Sequence, residues 1–136
     1  MRKFCLLFIV FFTFISCSSN NKKFKLFALD RPYFLYSDIK YIEDAGDYLG
    51  TEILLTNGEK GYSGYIQICQ GWSSDLLVIR DVRIDNDSGN ISFAIGKEGK
   101  FTGTIMESYI SGEIFLSKDF IMEIKKLKRV LLYKLE

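Results

Sequence analysis

The chain contains no histidine. The commonest general base is therefore absent, and so is imidazole as a metal ligand. Ser-His and Cys-His nucleophile pairs are excluded outright. Neither sign of charge dominates, since 18 Lys and Arg face 17 Asp and Glu. That balance creates no field of the kind that draws in nucleic acid. No glycine loop suited to cradling phosphate occurs. Gly61-Tyr62-Ser63-Gly64-Tyr65 is not a nucleophile elbow, because Tyr65 stands where the second glycine belongs. Carboxylate pairs of the glycosidase kind remain possible in principle. The acidic residues fall mainly at turns and on polar faces, so they read as solvated charge, and the chain is expected to be non-enzymatic with no cofactor and no metal.

Long apolar runs are also scarce. Met1-Arg2-Lys3 precedes Phe4–Ile15, which only Thr13 interrupts. This run is shorter than the roughly 20 residues that span a bilayer. A basic start, a short apolar stretch and a small residue before a cut site make a secretory signal. Its end, Phe14-Ile15-Ser16-Cys17, resembles the lipobox of bacterial lipoproteins, with Phe14 where Leu is usual. The resemblance implies that residues 1–16 are cleaved and that the Cys17 thiol carries diacylglycerol. Palmitate-type chains on Cys17 would then hold the protein in the membrane, since each buried CH₂ contributes about 0.8 kcal/mol. Ser18 after the cysteine implies the outer membrane over the inner one in a diderm cell. Residues 17–32, opening with Ser18-Ser19-Asn20-Asn21-Lys22-Lys23, read as a lipidated cysteine and flexible tether. Residues 33–136 read as one domain. With Cys5 cleaved and Cys17 lipidated, Cys69 has no partner in the chain and reads as a small strand residue.

From Tyr48 onward, apolar residues alternate with polar ones between turn signals. Strands are expected near 48–56, 62–70, 76–85, 91–96, 101–108, 110–117 and 120–127. Short connections between consecutive strands make antiparallel neighbours. Tyr62, Gly64, Ile66 and Ile68 share a face, as do Ile91, Phe93 and Ile95. Phe101, Gly103 and Ile105 form another such set, and Ile110, Gly112, Ile114 and Leu116 a fourth. The opposite faces are mostly Ser, Thr, Gln and Glu. In Tyr48-x-Gly50, Tyr62-x-Gly64, Phe101-x-Gly103 and Ile110-x-Gly112 a large apolar residue stands two before glycine, which suits a strongly coiled sheet. Residues 32–46 suit either an eighth strand or a strand followed by a helical turn after Ser37. Phe120, Met122 and Ile124 continue the alternation into a closing strand. Phe120, Ile124, Leu127, Leu131 and Leu135 also form a helical stripe.

The expected fold is all-β, an antiparallel meander of seven or eight strands forming a small barrel or strongly curled sheet. Gly46-Asp47-Tyr48 resembles the Gly-x-Trp of lipocalin-like β-barrels, with Tyr in place of Trp.

Three further positions stand out. On strict alternation Leu76, Val78, Arg80, Val82 and Ile84 share a face, which puts a guanidinium in an apolar row. A buried unpaired charge is prohibitive. Either Arg80 meets an acidic partner or ligand inside, or a bulge turns it outward. Trp72 lies in the turn Gly71-Trp72-Ser73-Ser74-Asp75, as a contact anchor or as a plug over the barrel mouth. Asp85 and Asp87 have the first ligand spacing of an EF-hand, but Gly89 comes one position early and Gly96 stands where glutamate belongs, so a hairpin turn explains them better. The function expected is a lipid-anchored envelope module that binds a small apolar ligand in the barrel. The alternative is one that binds an envelope protein through its loops.

Overall fold

The computed structural model describes residues 32–71 and 75–131. Among them are nine strands and no helix: β1 (Tyr33–Ser37), β2 (Lys40–Ile42), β3 (Asp47–Gly58), β4 (Gly61–Gln70), β5 (Leu77–Ile84), β6 (Asn90–Ile95), β7 (Gly99–Ile105), β8 (Tyr109–Ser117) and β9 (Phe120–Val130). Every pairing is antiparallel. The order is β1-β9-β8-β7-β6-β5-β4-β3-β2, and β1 pairs with β3 as well as with β9. That second pairing closes eight strands into a barrel and leaves β2 as an extra strand on β3. Residues 32–46 thus give a strand, a break at Asp38-Ile39 and a second short strand.

Alternation does the sorting. Tyr36, Ile53, Leu55, Ile66, Ile79, Phe101, Ile110 and Ile114 are wholly buried, and Phe34, Ile91, Phe93, Ile95, Ile105 and Leu127 nearly so. They form one cluster, with Tyr62, Leu77, Val82, Ile84, Leu116, Phe120 and Met122 packed against it. Eight strands enclose an interior just wide enough for side chains, and here large ones occupy it. Phe93 and Phe101 stack with ring centroids 4.7 Å apart.

Three strands carry bulges: β5, β9 and, at Leu116, β8. In β5 the register slips between Arg80 and Arg83, and Asp81 takes φ 54°. The single inward face expected for Leu76, Val78, Arg80, Val82 and Ile84 is therefore corrected. Leu76, Val78 and Arg80 point outward, Ile79 is buried, and Val82 and Ile84 pack on the core. In β9, Ile110 faces Leu127 while Gly112 faces Ile124. One residue of β8 thus opposes two, Lys125 and Lys126. The bulge also explains part of the helical stripe, since the three-residue step from Ile124 to Leu127 keeps both buried within a strand, while Leu131 is exposed and Leu135 lies outside the described residues.

Glycine permits the tight curvature where strands crowd. Gly103 pairs with Gly112. A Cβ at Gly103 would overlap the Ser111 carbonyl oxygen, and one at Gly112, where φ is 155°, the Thr102 carbonyl oxygen. The Phe101 ring tip lies 2.8 Å from either position, so Phe101 covers its own glycine and the one across the ladder.

Tyr36 anchors the closing strand. Its hydroxyl donates to the Met106 carbonyl, 3.2 Å away between β7 and β8. Arg129, its partner on β9, lies 5.1 Å from the Phe34 ring centroid and donates to the Glu107 carbonyl. Burial pushes the Tyr36 phenol up to about 12, and the Arg129 charge only partly opposes this. Burial also raises Tyr62, whose hydroxyl has no hydrogen-bond partner among the described residues.

Gly103→Ala is expected to cost roughly 3 kcal/mol or more. Gly96→Ala, at φ 56° with no atom within 4 Å of its Cβ, should cost only about 1 kcal/mol. Urea midpoints check both. An unfolded tyrosine ionises near pH 10, so the Tyr36 contribution is complete below that pH. It falls away as pH rises towards 12, with about 2–3 kcal/mol lost. Tyr36→Phe should flatten that part of a stability–pH curve.

Candidate functional site

Of the residues singled out from sequence, Cys17 and Trp72 lie outside the described residues. Arg80 is exposed beside the bulge, and its Nη2 donates to the Gly96 carbonyl. Cys69 is buried and free. The Asp85 carboxylate is engaged inside its own turn. It accepts from the Ser88 hydroxyl at 2.7 Å and from the Asp87 amide at 3.0 Å, and these bonds hold it below the ordinary carboxylate range. Among the described residues, the structure does not bring Arg80 and the Asp85 turn together with any cluster of acids or nucleophiles. Their bonds are those of a bulge and a turn.

The outer wall is where the structure departs from a simple dry-inside, wet-outside reading. Leu35 of β1 faces Val130 of β9 on one side and Leu54 of β3 on the other. Leu54 faces Tyr65 of β4, and Tyr65 faces Val78 of β5. All five point away from the core, because their strand neighbours point into it. Val130 is 36% exposed, Val78 45% and Tyr65 46%, while Leu35 and Leu54 are half-buried. Adjacent strands lie about 4.8 Å apart, so the row crosses five strands over about 19 Å. Its flanks are mixed: Thr56 and Ser63 with exposed Tyr33 towards one end of the barrel, Ser37, Glu52 and Gln67 with exposed Leu76 towards the other. The rest of the wall differs. There Arg83, Ser92, Thr102, Glu113 and Glu123 form the corresponding row.

A second feature lies in the wall below the closing pairs. β1 meets β9 only through Leu35–Val130 and Tyr36–Arg129, whereas it meets β3 along its whole length. Beyond Ser37 the chain breaks its ladder. The Asp38 amide donates to the Thr51 carbonyl, and the Asp38 carboxylate, in place of a backbone carbonyl, accepts from the Thr51 amide at 2.6 Å. Gly50, at φ 126°, makes room, since a Cβ there would lie 2.7 Å from the Asp38 carbonyl oxygen. Between this break and β9 opens a slot of about 440 Å³. Residues 122–127 line one side, while Asp38, Thr51, Ile68 and Cys69 line the other. Six consecutive residues of β9 lining one slot means that the strand presents its backbone edge to it, not one face.

No protein-family model matches the chain, nor does any curated protein or solved structure. The reading of function therefore rests on geometry and sequence alone.

Neither surface feature follows from the local pattern. The outward apolar residues are scattered along their own strands, and register alone sets these five side by side. The slot depends on where β1 stops pairing. Asp38→Ala should remove the splice to Thr51 and lower stability by about 1–2 kcal/mol. Asp38→Asn, which keeps an acceptor, should cost less, with urea midpoints as the measure.

Proposed function

We propose that the chain is a non-enzymatic protein-binding lipoprotein of the bacterial cell envelope, anchored through Cys17 and engaging its partner with the outer wall of the barrel. The observation that carries this reading is the exposed row Val130–Leu35–Leu54–Tyr65–Val78. A continuous exposed apolar strip suits a protein interface. Tyr65 near its centre supplies the large amphipathic ring that such interfaces favour. Side chains fill the space in which a carrier barrel holds its ligand, which turns the choice from the small apolar ligand to the protein. The contact moves from the loops to the wall for the same reason of exposed apolar area. Anchorage rests on Phe14-Ile15-Ser16-Cys17, with the outer membrane as the destination in a diderm cell. The near-neutral charge of the chain supports a protein partner over nucleic acid.

Two measurements test it. Metabolic labelling with a palmitate analogue should be lost on Cys17→Ser, and labelling that survives would sink the anchor. Crosslinking in intact cells should yield one stoichiometric partner. Tyr65→Ser with Val78→Ser should cut that yield at least tenfold, equivalent to about 1.4 kcal/mol, while Thr102→Ser on the opposite wall leaves it unchanged. Equal yields from both variants, or no partner at all, would overturn the interface.

A further inference from the structure

We infer that the apolar row has an occupant in cis: residues 24–29 of the same chain lie across it and are displaced by the partner. The inference rests on the protein-binding reading only for what displaces them. These residues, Phe24-Lys25-Leu26-Phe27-Ala28-Leu29, lie outside the described residues. They are out of character for a spacer. Spacers stay in water because they are polar, as Ser18-Ser19-Asn20-Asn21-Lys22-Lys23 is. In residues 24–29 Lys25 is the single polar side chain, among two phenylalanines, two leucines and an alanine. Such a stretch gains by covering exposed apolar surface.

The structure supplies that surface close to where the segment ends. The chain is held at Pro32, whose carbonyl accepts from the Asn57 amide. Tyr33 follows, exposed on the outer face, and Leu35 of the row comes two residues later. From Pro32, Leu54 and Val78 lie three residues along β1 and one or three strands across. Those offsets correspond to about 11 Å and 18 Å. Phe27 stands five residues before Pro32 and Phe24 eight. An extended chain of those lengths reaches about 17 Å and 26 Å. Phe27 is therefore within reach of Leu54, and Phe24 of Tyr65 and Val78. The row is one residue deep on each strand, which matches the width of a single chain.

Attachment favours this occupant over others. A segment joined to the wall by so few residues is present at an effective concentration of about a millimolar, which a dilute second copy does not match. A contact of this size is weak, so a partner with a larger surface displaces it. Docking also shortens the leash of a chain anchored at Cys17. With Phe24 on the wall, the free length from Cys17 is seven residues, about 23 Å. Released, it is fifteen residues to Pro32, about 50 Å. Partner binding thus lets the barrel move out from the membrane.

The test uses the full lipidated chain in vesicles of phosphatidylethanolamine and phosphatidylglycerol, with Phe27 replaced by the photo-crosslinking analogue benzoylphenylalanine. Irradiation should join position 27 to β3 or β4 of the same molecule, read by mass spectrometry of the monomer. Tyr65→Ser with Val78→Ser should cut that yield several-fold. Phe24→Ser, outside the barrel, should lower it as well, so a row variant that fails to fold does not blunt the test. Four results would overturn the proposal: crosslinks to lipid alone, crosslinks between two copies, crosslinks to β6, β7 or β8, or no crosslink. In cells, Phe24→Ser with Phe27→Ser should raise the yield of the partner crosslink several-fold, and an unchanged yield would overturn displacement. The crosslink within the chain is read with no partner present, so it and the protein-binding reading fail separately.

Discussion

The structure depends on the unequal way β1 is shared between two neighbours. It pairs with β3 from Tyr33 to Ser37, but with β9 only through Leu35 and Tyr36. Those two pairs turn a curled sheet into a barrel. They bring Phe34 and Tyr36 into the interior and set the Tyr36 hydroxyl on the Met106 carbonyl, 70 residues away in sequence. Closure removes sheet edges and lets the inward faces shield one another from water. Where closure stops, below Ser37, the wall opens. The completed upper half and the slot in the lower half are thus consequences of one short pairing.

Closure at this size has a steric condition. Strands that curl around so narrow an interior bring neighbouring backbones together, and Gly64, Gly103 and Gly112 stand where a Cβ would strike a facing carbonyl. Phe101 fills the space the paired glycines leave. With the interior packed, recognition moves to the outside. There the chain is two-sided: an apolar row over β9, β1, β3, β4 and β5, and a charged and hydroxyl-bearing row over β5 to β9. The sorting is by row and not by whole face, since Phe115 and exposed Ile121 pair on the outer side of β8 and β9.

Much of the fold was legible in local pattern. Ile91, Phe93 and Ile95, Phe101 and Ile105, and Ile110 and Ile114 alternate cleanly, and all are buried. The glycine motif pointed to strong coiling, and the paired Gly103 and Gly112 lie where it occurs. Pattern failed where a bulge adds one residue. In β5, strict alternation put Leu76 and Val78 on the same face as Val82 and Ile84, and Asp81 at positive φ separates them. In β9, the extra residue at Lys125-Lys126 imitated a helical spacing. A one-residue insertion reverses every later side chain in a period-two element, yet leaves composition and hydropathy unchanged. The strand expected over 101–108 ends at Ile105, and the Met106 amide donates to the Tyr109 carbonyl across the turn. Of the candidate site, the sequence offered Arg80 with its bulge as one of two alternatives, and neither the apolar row nor the slot was visible in it.

The amino-acid sequence by itself determined which residues face inward over most strands, where the chain turns, and that histidine chemistry is absent. These are properties of neighbours two to four residues apart, governed by backbone geometry and by transfer of apolar surface from water. Tertiary structure alone decided which strand meets which, and at what register. It placed Leu35 between Val130 and Leu54, gave β1 two partners of unequal length, and left most of one edge of β9 without a strand partner among the described residues. Such pairings are settled by competition among distant segments for the same backbone hydrogen bonds and the same interior volume, and no local pattern records the outcome.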